Sequence, residues 1–111
     1  MPMIKLSAPC DIPTELLQEL STIIAEAIGK PENYVMVVAS KCDVLMSGSA
    51  ADAVYVEVKS IGGLSPAVNH EITMKICVLL NDHLGILEDR IYVTFADIPA
   101  EQWGWNGSLF G

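Results

Sequence analysis

The chain has 111 residues, of which 14 are Asp or Glu and 6 are Lys or Arg, giving a formal net charge of −8. This length fits one domain, and the negative charge argues against a nucleic-acid partner, which would require clustered cations to contact phosphates. Hydrophobic residues make up 51% of the chain, which excludes intrinsic disorder and predicts that part of the apolar surface is buried in an oligomer.

The first half of the chain is predicted to form a strand, a helix and a second strand. Residues 3–7 are β-prone, and residues 11–13 begin a helix, with proline tolerated in its first turn. Gly29 ends this helix, and Pro31 prevents its continuation. Residues 34–38 form an apolar strand without alternation, which predicts burial on both faces. Within the helix, apolar residues recur at helical spacing at Leu16, Leu17, Leu20, Ile23, Ile24, Ala27 and Ile28.

The second half repeats this order. Residues 53–59 are predicted to form a strand with partial alternation of apolar and polar residues. Ser65 is positioned to cap a helix whose first residue is Pro66, and Gly85 ends that helix. Residues 91–95 form the returning strand. The apolar stripe of this second helix consists of Val68, Ile72, Ile76, Leu79, Leu80 and Leu84.

The two halves therefore form an internal repeat, over roughly residues 2–42 and 53–97, offset by 56 residues. Each unit connects parallel strands by a right-handed helical crossover. We predict a single α+β domain over residues 1–111, in which two β-α-β repeats form a four-stranded mixed sheet with two helices on one face. The opposite face needs an apolar partner, and a neighbouring subunit is expected to cover it.

Two segments lie outside the repeat. Residues 43–52 are rich in Ser, Gly and Ala and are predicted to form a loop. Residues 99–111, the C-terminal arm, contain Trp103, Trp105 and Phe110. Because disordered tails rarely concentrate aromatic residues, we expect this arm to pack across a subunit boundary.

The sequence predicts a cytoplasmic protein with no membrane partner. No apolar stretch approaches the roughly 18 residues that a membrane span requires. The N-terminal residues also lack the basic and apolar segments of a secretory signal. The three cysteines, Cys10, Cys42 and Cys77, form no C-x-x-C pair. We expect them to be buried apolar thiols in a reducing compartment, without a metal or redox role.

The usual catalytic motifs are absent from the sequence, and no cofactor or metal site is predicted. Gly62 and Gly63 could bind an anion through their backbone N–H groups, but a simple turn between strand and helix is the preferred interpretation. The remaining polar candidates are expected to be solvated or boundary residues, namely His70, His83, Asp97 and Glu101.

Pro2 is the one position whose chemistry could be unusual. A small second residue favours removal of Met1, which would leave a free prolyl amine. An α-amino group ordinarily has a pKa of about 7.7–8.0, and burial or a nearby cation lowers that pKa. A neutral amine is a competent general base. Proline is nevertheless common at this position and does not by itself indicate catalysis.

A set of motifs gives Pro2 its context, because in this order and spacing they closely resemble the macrophage migration inhibitory factor family. This family belongs to the tautomerase superfamily and is a relative of D-dopachrome tautomerase. The resemblance covers the whole chain. The matching segments are Met1-Pro2, Gly29-Lys30-Pro31-x-x-Tyr34-Val35-Met36, Ser60-Ile61-Gly62-Gly63, Asp89-Arg90-Ile91-Tyr92 and Gly104-Trp105-Asn106-Gly107-Ser108.

The resemblance implies a homotrimer in which three sheets form a central barrel, with the helices outside and the active sites between subunits. It implies that Pro2 is the catalytic base and that Lys30 holds a substrate carboxylate and helps to keep the proline amine neutral. It places the backbone N–H of Ile61 in contact with substrate and Tyr92 in the pocket of an adjoining subunit. Further wall and rim positions are implied for Met3, Tyr34, Ser60, Trp105 and Phe110.

Several positions depart from the family pattern. Residues 53–56 lack the family's C-x-x-C, so thiol oxidoreductase activity is not expected. Thr94 replaces an asparagine in the pocket, Trp103 replaces a small aliphatic residue on the rim, and residues 46–49 have lost an aromatic residue and a glycine of the family loop. We expect these changes to affect substrate range and rate more than fold.

The resemblance implies keto–enol tautomerisation of a small aromatic keto or enol acid such as phenylpyruvate, or of D-dopachrome methyl ester, without cofactor or metal. The alternative is a cytokine-like signalling or binding protein with a receptor partner, non-classical secretion and weak or vestigial tautomerase activity.

Overall fold

A four-stranded sheet, two helices and a small C-terminal hairpin make up the fold in the computed structural model, which describes residues 1–111. None of its helices combines the length and apolar character needed to cross a bilayer. In chain order the elements are β1 (Pro2–Ala8), α1 (Thr14–Ile28), β2 (Met36–Lys41), β3 (Val54–Ser60), α2 (Pro66–Leu84), β4 (Ile91–Asp97), β5 (Gly104–Trp105) and β6 (Ser108–Leu109). Single 3₁₀ turns lie at Glu32–Tyr34, Glu88–Arg90 and Ala100–Gln102.

Local sequence signals set the ends of both helices. The hydroxyl of Ser65 accepts a hydrogen bond from the Val68 N–H at 3.2 Å, and Pro66 is the first residue of α2, as predicted. Helix α1 begins at Thr14, just after the predicted start at residues 11–13, because Pro13 is its extended N-cap and lies outside the first turn. Both helices end at a glycine in the left-handed conformation, Gly29 and Gly85.

The sheet is mixed, with strand order β2-β1-β3-β4. Strands β1 and β2 are parallel, strands β3 and β4 are parallel, and the two units meet through the antiparallel pair of β1 and β3. In this register Pro2 lies opposite Ser60, and Ser60 lies opposite Asp97. The predicted pair of β-α-β units and the predicted mixed sheet are confirmed.

The core lies between the two helices and one face of the sheet. Burial alternates along β1 and β3, so that one side chain in two is buried against the helices. The buried residues on the strands include Ile4, Leu6, Val56 and Val58, and those on the helices include Leu20, Ile24, Ile72, Ile76 and Leu80. The opposite sheet face has no covering element in this chain, and its exposed or half-buried side chains include Lys5, Tyr55, Glu57, Lys59, Tyr92 and Thr94.

Strand β2 differs from its prediction. It begins at Met36, because Tyr34 closes the 3₁₀ turn that follows Pro31. The expected burial on both faces is wrong for the isolated chain, since β2 is an edge strand whose side chains are half-buried or exposed. Met36, for example, is 60% exposed.

The cysteines also depart from their prediction. Cys77 is buried in α2, but Cys10 is only half-buried and Cys42 is exposed. Cys42 is exposed because it directly follows edge strand β2, where only β1 lies beside it. Its N–H donates to the Ala8 carbonyl at 2.8 Å.

Arg90 organises the predicted loop of residues 43–52, which contains only an isolated bridge between Met46 and Ser49. The guanidinium group donates to backbone carbonyls of the loop at 2.9–3.3 Å, a geometry that suits its fixed array of N–H donors. The acceptors are the carbonyl oxygens of Met46, Ser49, Ala51 and Asp52.

Candidate active site

The beginning of β1 lies in the interior of the fold. Pro2 is under 2% exposed, because it lies on the face of β1 that alternates into the core with Ile4 and Leu6. The carbonyl of Met1 accepts a hydrogen bond from the Ile61 N–H at 3.3 Å. The first peptide unit is therefore held against the turn that follows β3.

Lys30 brings a cation to the same place. It follows the Gly29 cap of α1, and its Nζ donates to the Ile61 carbonyl at 2.7 Å. Burial lowers the pKa of the Met1 α-amine, and the charge and hydrogen bonding of Lys30 lower that pKa further. An amine at this position loses its proton more readily than an amine in water.

The turn of residues 60–63 carries Ile61. The fully buried Ser60 donates its hydroxyl to the Gly62 carbonyl at 2.7 Å, and the Gly62 N–H donates to Oδ1 of Asp97 at 2.9 Å. The preferred turn interpretation of the two glycines therefore agrees with the structure, and the carboxylate that the turn binds belongs to the chain itself. The prediction that Asp97 is merely a solvated carboxylate is wrong, since β4 ends directly beside the turn.

Gly63 is required where the turn passes the end of α1. Its φ is +78°, and a Cβ at this position would lie 2.6 Å from the Ile28 side chain and 3.5 Å from Cε of Lys30. Only glycine therefore fits without displacing the Ile28 side chain at the end of α1.

Two cavities open beside the N-terminus, and Met1 and Tyr34 line both of them. The first, here called the lysine cavity, has a volume of about 420 Å³, and its lining includes Met1, Lys30, Tyr34, Ile61, Ala100 and Phe110. The second, here called the tryptophan cavity, has a volume of about 430 Å³, and its lining includes Pro2, Met3, Tyr34, Met36, Trp103 and Trp105. Both are mainly apolar, as is usual for small-molecule sites.

Aromatic side chains of the C-terminal arm form part of these walls. The rings of Trp105 and Phe110 stack with centroids 5.9 Å apart and an interplanar angle of 13°. Tyr34 meets Trp105 edge to face at 6.0 Å. The Phe110 N–H donates to the Trp103 carbonyl at 3.2 Å, which closes the arm into a short hairpin. In the isolated chain the arm therefore packs against its own N-terminal region.

Most of the candidate site residues thus converge on one end of the sheet, but Ser60 does not line either cavity. Its hydroxyl is internal and bonded to Gly62, so its contribution is to the shape of the turn. Sequence reasoning did not identify Ala100 in the lysine cavity, since a small apolar residue gives no chemical signal. The link between Asp97 and the turn could have been found only from the pairing register of β3 and β4.

Tyr92 and Thr94 lie elsewhere in the chain. Tyr92 is paired with Tyr55, and Tyr55 is paired with Ser7. Ser7 is five residues along β1 from Pro2, so Tyr92 lies about 17 Å along the strand direction from Pro2 at the usual rise per residue. Tyr92 is 64% exposed, and Thr94 makes a hydrogen bond of 3.0 Å with the hydroxyl of Tyr55. Within one copy of the chain, neither side chain reaches the N-terminal site.

Known proteins of one family match this chain over nearly its whole length. The family model described as Macrophage migration inhibitory factor (MIF) matches residues 1–111. A macrophage migration inhibitory factor homolog of Brugia malayi is 39% identical over 101 residues, covering 90% of this chain and 88% of that protein. The macrophage migration inhibitory factor of Meriones unguiculatus is 39% identical over 100 residues, covering 89% of this chain and 87% of that protein.

Solved structures agree with this assignment. The crystal structure of the macrophage migration inhibitory factor homologue from Prochlorococcus marinus matches with a TM-score of 0.93 at 43% identity, covering 98% of this chain and 99% of that chain. The family model, the related sequences and the solved structure all agree, so the chain belongs to the macrophage migration inhibitory factor family, in the tautomerase superfamily.

Proposed function

We propose that this protein is a keto–enol tautomerase of small aromatic 2-keto acids such as phenylpyruvate, with Pro2 as its general base. The observation that carries the proposal is the meeting of a cation and an N-terminal amine at an apolar cavity. Lys30 donates to the Ile61 carbonyl at 2.7 Å, and the N–H of Ile61 donates to Met1 at 3.3 Å. This combination suits a substrate with a carboxylate at one end and an acidic C–H bond beside it.

The base is the secondary amine that removal of Met1 exposes. Because Met1 lines both cavities, its removal would open them to each other at the Pro2 nitrogen. The amine would keep the buried surroundings and the neighbouring Lys30 that lower the pKa of the Met1 amine. A larger fraction of it would therefore be neutral and able to accept a proton at physiological pH.

In the enolising direction, the Pro2 nitrogen takes a proton from the carbon next to the ketone. The C–H electron pair forms the carbon–carbon double bond, and the carbonyl electron pair moves to oxygen. The protonated Pro2 then gives up its proton to that oxygen, directly or through water, which regenerates the neutral base. Ketonisation is the reverse of these steps. No external oxidant or reductant is needed, because the isomers differ only in the position of one proton and one double bond.

Lys30 has the role of holding the substrate carboxylate. An ammonium group has three N–H donors, and the Ile61 carbonyl occupies one of them, so two remain for an anion. The apolar wall formed by Tyr34 and Phe110 would lower the local dielectric and strengthen this ion pair.

We propose further that the protein assembles as a homotrimer with a central barrel of sheets. The uncovered sheet face and exposed edge strand β2 support an assembly that buries them. The distance of about 17 Å between the levels of Pro2 and Tyr92 means that Tyr92 can reach a site only in another copy. The C-terminal arm would then also border the partner.

Three free cysteines, one of them exposed, support a reducing compartment such as the cytoplasm.

The direct test is an assay of phenylpyruvate tautomerisation on protein whose N-terminus has been verified by mass spectrometry. Pro2→Gly should remove nearly all activity, because it replaces the ring amine and loosens its position. Pro9→Gly, directly after the other end of β1, is the matched control and should retain activity. If wild-type protein shows no turnover above Pro2→Gly, the enzyme proposal fails, and the cytokine-like binding hypothesis is preferred.

A further inference from the structure

The turn of residues 60–63 contacts both Lys30 and the N-terminal residue of the lysine cavity. Its Ile61 carbonyl accepts from Lys30, and its Ile61 N–H donates to Met1. Its own shape depends on contacts with the end of β4, since the Ile98 N–H donates to the Ser60 carbonyl at 2.9 Å. A displacement of this turn would therefore displace the carbonyl that binds Lys30.

Asp97 is the side chain that holds the outer half of this turn. Its Oδ1 accepts the Gly62 N–H at 2.9 Å, a hydrogen bond strengthened by the carboxylate charge. Gly62 and Gly63 have no side chains of their own to hold the turn, so the Asp97 contact adds to the internal hydrogen bond between Ser60 and Gly62 in fixing its path. Asp97 is exposed and lines neither cavity, so its effect on the site is exerted through the turn.

We propose that Asp97 is a positioning residue that sets the place of Lys30 through the Gly62 N–H and the Ile61 carbonyl. The proposal rests on the tautomerase function for its kinetic consequence, but the geometry it describes is independent of activity. Two hydrogen bonds support it. The Gly62 N–H donates to Oδ1 of Asp97 at 2.9 Å, and Nζ of Lys30 donates to the Ile61 carbonyl at 2.7 Å. Asp97 thereby determines how well the site distinguishes a charged carboxylate from a neutral ester.

The kinetic test compares phenylpyruvate with its methyl ester, which lacks the charge that Lys30 recognises. Asp97→Ala should lower kcat/KM for the acid by about tenfold, because small misplacements of binding groups have large effects, and should leave the ester nearly unchanged. Asp97→Asn keeps an oxygen acceptor for the Gly62 N–H and should largely restore the preference for the acid. Glu101→Ala is the matched control, an exposed carboxylate in the adjacent arm without a hydrogen bond to the turn, and it should behave as wild type.

A second readout does not depend on turnover. Limited acetylation followed by mass spectrometry compares the reactivity of Lys30 with that of Lys75, which forms a surface ion pair with Glu71. In Asp97→Ala the relative reactivity of Lys30 should rise about fivefold, the equivalent of one lost hydrogen bond, and in Asp97→Asn it should stay near the wild-type value. If Asp97→Ala does not fold, Asp97→Leu has a side chain branched like aspartate without the acceptor and replaces it.

The outcomes separate the two proposals. An equal loss for acid and ester, or unchanged Lys30 reactivity in the variants lacking an acceptor, overturns the positioning role of Asp97. An absence of wild-type turnover on both substrates overturns the tautomerase proposal, and the acetylation result alone then decides whether Asp97 positions Lys30.

Discussion

The ammonium group of Lys30 donates to the backbone carbonyl of Ile61 across 2.7 Å, and so joins the end of α1 to the turn after β3. The two residues are 31 positions apart in the chain and belong to different β-α-β units. This link brings a cation beside the N-terminus, where burial already disfavours a second positive charge. The electrostatic character of the candidate site therefore arises from the junction between the two repeats.

The pH dependence of activity follows from this relationship. Burial and Lys30 lower the pKa of the Met1 amine, and a Pro2 amine in the same surroundings should share this direction. We therefore expect kcat/KM to rise with pH, with a midpoint below the ordinary α-amine pKa of about 7.7–8.0. Lys30→Met removes the cation and should move the midpoint upward, since the protonated amine is then less disfavoured. It should also lower kcat/KM for phenylpyruvate by about tenfold or more through the lost ion pair.

Lys75→Met is the matched control for this profile, because Lys75 pairs with Glu71 on the surface of α2. The measurement is kcat/KM against pH for all three proteins. An unchanged midpoint in Lys30→Met would contradict the role of the lysine charge.

The state of the N-terminus provides a second prediction. One extra residue before Pro2 converts the ring amine into an amide, which has no basic nitrogen. Protein that retains Met1, or carries an added alanine, should therefore lack tautomerase activity while keeping its assembly and its circular dichroism spectrum. Full activity in protein whose extension is verified by mass spectrometry would disprove Pro2 as the base.

The assembly can be tested by mass and by complementation. Light scattering should give about 36 kDa, three times the chain mass of 12.0 kDa.

If Tyr92 of the partner subunit completes the site, Pro2→Gly and Tyr92→Ala should each be inactive alone. When the two are unfolded and refolded together in equal amounts, about a quarter of all sites, or one site in each mixed trimer, would have both intact residues. A monomer at micromolar concentration, or no recovery of activity on mixing, would rule out the shared site.

Neighbouring glycines offer a sharp test of the turn geometry. Gly62 and Gly63 have similar positive φ values, +69° and +78°, but only a Cβ at Gly63 would clash, at 2.6 Å from Ile28. Gly62→Ala should cost about 1 kcal/mol in the free energy of unfolding, for the left-handed conformation alone. Gly63→Ala should cost about 1–3 kcal/mol more, because the Ile28 side chain must shift. Urea denaturation at equal protein concentration measures the difference, and equal costs would contradict the close approach.

Much of the fold could be predicted from local signals. Ser65, Pro66 and Gly85 act on helix ends within a few residues of themselves, so the limits of α2 were readable without tertiary structure. The repeat of strand, helix and strand predicted the mixed sheet. The start of β2 was harder to predict from the sequence. Tyr34 belongs to an apolar segment that favours an extended conformation, but in the structure it is the last residue of a 3₁₀ turn.

The candidate site could be predicted only in part from the sequence. Pro2 and Lys30 were identified from the resemblance of their motifs, and the structure brings them to one end of the sheet. The contact of Asp97 with Gly62 joins residues 35 positions apart and depends on the register of β3 and β4. No periodicity or motif in the sequence specifies that contact.

The amino-acid sequence by itself determined the kinds and order of the main elements and where both helices stop, because hydrophobic periodicity, capping and glycine conformations act over short distances. Only the tertiary structure decided which polar groups share a cavity, which strand forms an exposed edge and how far Tyr92 lies from Pro2. These properties depend on strand register and on the packing of distant segments, where a shift of one residue would exchange the buried and exposed faces of a strand.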